Sequence, residues 1–192
     1  MTNVDVLDRT AEERAFATLT LAFASDPLLR WVFPDPHQYL TYFPQLTQAF
    51  AGESLDRSTG FAVGDFRGVS LWLPPGVHSD EEAMGAVFDR GVRDEDKEAV
   101  FGLLEQVGPY HPEGPHWYLP LIGVDSGSQG QGYGSTLMSH ALALADQEHL
   151  PAYLESSNER NITLYERHGF KVMDRLQSGN SPGLWPMLRD PR

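Results

Sequence analysis

The chain predicts one α/β domain, and three observations carry that reading. Apolar residues recur at helical spacing up to about residue 52, switch to strand spacing over 61–73, and alternate between the two periods after residue 116. The 192 residues, 41% hydrophobic and 21% charged, have the size and composition of a chain with one buried core. No repeat, low-complexity tract or linker divides residues 1–192.

The elements follow in order. Thr10, Ala11, Glu12 and Glu13 have the spacing of a capping box, and Phe16, Leu19 and Phe23 then mark a helix that Ser25, Asp26 and Pro27 stop. The apolar run 15–24 is too short to span a bilayer. Before it stand Asp5, Asp8, Glu12 and Glu13 against Arg9 and Arg14, which is not the positive flank of an export signal. A cytoplasmic protein is expected. After a loop around Trp31, Val32, Phe33 and Pro34, the residues Tyr39, Tyr42, Phe43, Leu46 and Phe50 mark a second helix ending at Gly52. Segments 61–63 and 69–73 flank Gly64 and Gly68 as a β-hairpin. Segment 80–105 carries nine acids against three bases and reads as helix with a solvated outer face. Residues 116–124 read as a strand, Leu137 to Ala145 as one face of a helix, and 153–155 as a short strand. Asn158 caps a helix that runs to Arg167, with Gly169 just beyond it. Segments 170–176 and 184–188 read as the final strands.

Composition excludes several chemistries. With no cysteine there is no disulfide scaffold, thiolate zinc site, iron–sulfur cluster or cysteine nucleophile. The seven histidines form no His-Glu-x-x-His spacing, so no metal is expected. A formal charge of −13 without a basic patch argues against nucleic-acid and membrane partners. The same charge attracts a cationic amine, although solubility alone explains it as well.

The most informative segment runs from Val124 through Asp125, Ser126, Gly127, Ser128, Gln129, Gly130, Gln131, Gly132, Tyr133 and Gly134 to Ser135, between a strand and a helix. Its glycines leave backbone N–H groups free to converge on a phosphate at a helix N-terminus. It is no P-loop, since Gly127 and Gly132 are followed by Tyr133 and Gly134 rather than lysine. A dinucleotide fingerprint, Gly130-x-Gly132-x-x-Ser135 with Glu155 beyond it, fits poorly. Its third glycine is a serine, and the approach from Val124 is too long for a tight turn. A turn without ligand is the remaining alternative.

Gln129-x-x-Gly132-x-Gly134 after the strand Leu121 to Val124 resembles the pyrophosphate loop of the GNAT superfamily of N-acetyltransferases. A second segment strengthens the resemblance. Asn158, Leu164, Tyr165, Gly169 and Phe170 match the superfamily's Asn…Leu-Tyr-x-x-x-Gly-Phe pattern in order and distance. The likeness is sharpest over 116–176. The segments 116–119, 153–157 and 165–170 look most like an actinobacterial branch that includes puromycin N-acetyltransferase. Asn161 stands where the superfamily usually has alanine, although asparagine is not unusual in that branch.

The resemblance implies a mixed central sheet with helices on both faces and strands splayed where acetyl-CoA binds. It implies an acetyl-CoA-dependent transfer of an acetyl group to the primary amine of a small molecule, with no metal and with a homodimer possible. Ile122, Gly123 and Val124 would pair with the pantetheine arm. Gln129, Gly130, Gln131, Gly132, Tyr133, Gly134 and Ser135 would cradle the pyrophosphate. Asn158 would reach the arm, although a plain helix cap explains it equally. Tyr165 is the expected general acid, and Glu155 the expected base with His116 second. Trp31, Phe33, Trp72 and Tyr118 are candidate walls of the acceptor pocket. Two other functions fit the same pattern, a non-catalytic acyl-CoA-binding module and an acetyltransferase of protein amines.

Overall fold

The structure, a computed structural model, describes residues 3–192. Its N-terminal part opens with β1 (Val4–Leu7), which the sequence reading missed because four residues with an acid among them show almost no period. The helices α1 (Glu12–Ala22), α2 (Pro27–Val32), α3 (Pro36–Ala51) and the short α4 (Glu53–Asp56) follow. The predicted capping box does not form. Asp8 instead accepts from the Thr10 backbone N–H at 2.9 Å and starts a single 3-10 turn, Arg9–Ala11, that runs straight into α1. The expected loop at Trp31 and Val32 is also corrected. Asp26 does not merely stop α1; it caps α2, accepting from the N–H groups of Leu28 and Leu29, and Pro27 occupies the first turn, where its missing N–H costs nothing.

The hairpin is β2 (Gly60–Val63) and β3 (Gly68–Leu73), and the acidic segment is two helices, α5 (Glu81–Gly91) and α6 (Asp94–Val107). Next come β4 (Trp117–Val124), α7 (Tyr133–Gln147), β5 (Ala152–Ser156), α8 (Glu159–Arg167), β6 (Lys171–Val172) and β7 (Trp185–Arg189). The penultimate strand is shorter than expected; beyond Val172 its pairing continues only through the Met173 N–H to the Pro186 carbonyl and the bridge between Leu176 and Leu184.

The strands form one sheet in the order β1-β2-β3-β4-β5-β7-β6, antiparallel except for β4 beside β5. Helices cover both faces. On one face Ala62, Val69 and Leu121 pack against Leu19, Phe33, Tyr39 and Phe43 of the first helices. On the other, Phe61, Val63 and Leu119 pack against Leu137, Met138 and Ala141 of α7. Each Val, Leu, Phe or Met among them contributes about 1.5–3 kcal/mol when fully buried. This is the mixed α/β architecture expected.

β4 shapes everything that follows. Leu71 faces Leu121 while Leu73 faces Tyr118, so β4 holds one residue more than β3 between the two pairs. Such a bulge bends the strand that carries it. The bend coincides with Pro120, which has no N–H to give to a neighbouring strand. Pairing with β5 runs from Trp117↔Ala152 to Leu119↔Leu154 and stops there, while β4 continues to Val124. The two strands therefore part, and the edge of β4 from Leu121 to Val124 on that side has no strand partner. Among the described residues no helix is long and apolar enough to cross a membrane.

Candidate active site

The unpaired edge of β4 leads into the glycine loop. Gly130 and Gly132 hold φ of +74° and +84°, a region that side-chain-bearing residues rarely adopt, and a Cβ on either would meet nothing within 4 Å. The loop is therefore open to a ligand rather than packed into the body of the protein. α7 begins at Tyr133, and Gly132 before it supplies no side-chain cap. The first-turn N–H groups of this 15-residue helix thus point outward with the positive end of its dipole. Gln129 and Gln131 are exposed, and the Gln129 amide donates to the Val124 carbonyl at 3.3 Å. The Tyr133 ring lies against the hairpin turn at Gly64. Ser135 Oγ sits 2.8 Å from His168 Nε2, tying the loop to the end of α8. Burial, with Arg167, Arg189 and Arg192 nearby, holds the His168 imidazole below its usual range. Gly123 has a packing reason as well: its missing Cβ would stand 2.6 Å from the Ala22 Cβ, so α1 lies directly on β4.

Where β4 and β5 part, a cavity of about 1200 Å³ opens. Trp31 and Leu28 of α2, Met84 and Phe88 of α5, and Phe101 and Leu104 of α6 form much of its apolar wall. The acidic segment thus does two things. Its acids at Glu81, Glu82, Asp89, Asp94 and Glu95 stay exposed, as expected, while its apolar faces close the cavity. Of the four aromatic walls expected, Trp31 and Tyr118 line the cavity; Phe33 and Trp72 do not, because both are wholly buried in the core. Asn158 also falls outside it. Its carboxamide oxygen accepts from the Arg160 N–H at 3.1 Å as the cap of α8, and the neighbouring Ser157 and Asn161 line the cavity instead.

The main polar cluster of the cavity is centred on Glu155. The Tyr118 hydroxyl donates to Glu155 Oε2 at 2.7 Å. Glu155 Oε1 has no aligned donor but lies 3.0 Å from His111 Nε2. The His111 ring leans on those of Tyr153 and Tyr118, with centroids 4.4 and 5.0 Å away. Burial first, and then the Glu155 charge, push the phenols of Tyr118 and Tyr153 up, so both stay protonated. Sequence reasoning missed His111, which follows α6 in an irregular segment with no motif to mark it. His116 lines the cavity, with Nδ1 2.7 Å from the Gly114 carbonyl, but makes no contact with Glu155.

Tyr165, on α8, also faces the cavity and is only 6% exposed. Burial, with a smaller contribution from the Asp26 charge, pushes its phenol well above the usual range. Asp26 is itself buried. Besides capping α2 it accepts from Ser157 Oγ at 2.7 Å, which ties the cavity's α2 wall to the turn after β5. Desolvation raises its carboxyl above the usual range. Among the described residues no group of three His, Cys, Asp or Glu side chains is placed to hold a metal ion.

Residues 69–170 match the acetyltransferase (GNAT) family. An uncharacterized N-acetyltransferase of Schizosaccharomyces pombe is 30% identical over 196 residues, covering 93% of this chain and 79% of that protein. Among solved structures, a Corynebacterium glutamicum histone acetyltransferase and related acetyltransferase superposes with a TM-score of 0.71 at 24% identity, covering 100% of this chain and 97% of the other. Arylalkylamine N-acetyltransferase 2 of Aedes aegypti gives 0.69 at 14% identity, with 100% and 99% covered. At these identities the two structures speak for the fold.

Proposed function

Because this chain belongs to the GNAT acetyltransferase family, and is an acyltransferase, we propose that it acetylates the primary amine of a small molecule with an apolar body, using acetyl-CoA. One observation carries the reading: the open glycine loop and the unpaired edge of β4 lead into an apolar cavity whose main polar cluster is centred on a carboxylate, Glu155. The fit to the donor is supported by the loop's free backbone N–H groups and by the hydrogen-bonding edge of Leu121 to Val124. When bound, acetyl-CoA supplies a thioester carbonyl and a sulfur leaving group.

The chain's own residues divide the remaining work. Gly130 to Ser135 and the N-terminus of α7 would hold the pyrophosphate, and Ile122 to Val124 the pantetheine arm. The Val124 N–H would polarise the carbonyl. The carboxylate of Glu155 attracts the ammonium and takes a proton from it through a water, since both its oxygens are covered. The raised phenol of Tyr165 stays protonated and gives its proton to the departing sulfur. The walls built by α5 and α6 favour a compact acceptor over a peptide laid in an open groove. Kinship with the puromycin N-acetyltransferase branch belongs to the same proposal, carried by the segments 116–119, 153–157 and 165–170.

The test is acetyl-CoA binding by calorimetry, followed by thiol release against phenylethylamine, puromycin, agmatine and a lysine-bearing peptide. Turnover of the apolar amines supports the proposal. Turnover of the peptide alone transfers it to protein amines. Binding without release from any amine favours an acyl-CoA-binding module.

A further inference from the structure

Proton balance asks for a component not yet assigned. An amine enters the cavity near neutral pH as an ammonium with three N–H protons and leaves as an amide with one. The N–C bond forms as the C–S bond breaks. One of the two protons lost by nitrogen replaces the one that Tyr165 gives to sulfur. The other must leave the protein in every turnover, and on the reading above Glu155 takes it. Glu155 is a poor place for it to leave from: its side chain is 9% exposed, and Oε2 is closed by the Tyr118 hydroxyl at 2.7 Å. Its other oxygen, Oε1, has no aligned donor and lies 3.0 Å from His111 Nε2. The His111 side chain is 35% exposed, so this ring reaches from the carboxylate to solvent.

We propose that His111 is the proton exit of the site: Nε2 takes the proton from Glu155 Oε1, and the resulting imidazolium releases a ring proton to water. The inference rests on the proposed acetyl transfer and on Glu155 as the first acceptor. The titratable groups facing His111 are Glu155 and Tyr153 from β5, Tyr118 from β4, and His116 just before β4. The two phenols stay protonated, so neither is a free base for the Glu155 proton. The His116 ring is 6.1 Å from that of His111, and its Nδ1 is occupied by the Gly114 carbonyl. An imidazole is the side chain suited to exchange a proton with water near neutrality. Tilted and edge-on contacts with Tyr153 and Tyr118 keep the ring beside Oε1. His111 acts through Glu155, so it is a positioning and relay residue rather than a catalytic one.

The test is His111→Ala, assayed by thiol release in dilute, weakly protolytic buffer with the amine that turns over fastest in the panel above. The expected result is a kcat about tenfold lower with KM unchanged, of the order that proton transfer contributes. Millimolar imidazole restores most of the loss, and the thermal melt is unchanged. In the free chain, with no donor present, Glu155→Gln displaces the His111 ring resonances at constant pH. The relay is overturned by an undiminished kcat, by a loss that imidazole does not restore, by His111→Gln restoring the rate without imidazole, or by unmoved resonances. Any of these leaves the acetyltransferase proposal standing. A wild-type chain that releases no thiol with any amine takes down both.

Discussion

Tyr165 illustrates what one side chain contributes and how it is read. Its place in the Leu164-Tyr165 pair marks it in the sequence, and the structure adds that it faces the cavity from a site where burial keeps its phenol protonated. Tyr165→Phe is expected to lower kcat about a hundredfold while calorimetric acetyl-CoA binding stays the same, since the ring remains and only the proton donor goes. Unchanged turnover would remove Tyr165 from the mechanism. Glu155 was legible on the same terms, at the end of a short strand. Asn158 was legible both as a helix cap and as a residue reaching the pantetheine arm, and the structure shows the cap. Asp26 and His111 were not legible as site residues. Asp26 meets Ser157 across 131 residues of chain, and nothing local to either residue announces the contact.

Among the elements, β4 has the largest consequences. Its bulge, its loss of pairing with β5 after Leu119, and the contact of Gly123 with α1 together set where its unpaired edge lies relative to the cavity. Gly123→Ala places a methyl group 2.6 Å from the Ala22 Cβ, so α1 must retreat. The expected cost is about 1–3 kcal/mol, read as a lower urea midpoint at unchanged slope. Adding Ala22→Gly should recover part of it, whereas full independence of the two changes would refute the packing account. The strand itself was plain in the sequence. Its bulge was signalled only by Pro120 inside an apolar run, which marks an interruption without saying which way the strand bends. Segment 80–105 was legible as one helical stretch from its acids; its break into α5 and α6 was not, nor that their apolar faces close a cavity.

At the scale of the whole molecule, one buried clamp joins the C-terminal elements. Arg189 of β7, 3% exposed, grips Asp146 of α7 through two bonds of 2.7 and 2.8 Å and donates to the His168 carbonyl at the end of α8. The hydrogen bond from Arg189 holds the Asp146 carboxyl below its ordinary 3.8. A folded-state value lowered in this way adds stability that is complete above 3.8 and is lost as pH falls through the lowered value. Asp146→Asn, which leaves the buried guanidinium without its counter-charge, is expected to cost about 2 kcal/mol at neutral pH. Its acid unfolding curve should then be flatter than the parent's as pH falls below 3.8. An identical pH dependence in both proteins would show that the clamp is not what acid breaks.

The sequence by itself determined what is local: most of the succession of helices and strands (though not β1, α2 or the break between α5 and α6), the glycine loop ahead of α7, the cap of α8, and the two residues, Tyr165 and Glu155, that stand in recognisable patterns. Each of these depends on a period, a cap or a backbone conformation that neighbouring residues impose on one another. Only the tertiary structure decided that β4 and β5 part after Leu119, that segment 77–115 walls a cavity, and that His111, Tyr118 and Glu155 meet in it. Those contacts join residues far apart in the chain, where the energy comes from burial and charge between elements and leaves no spacing to read.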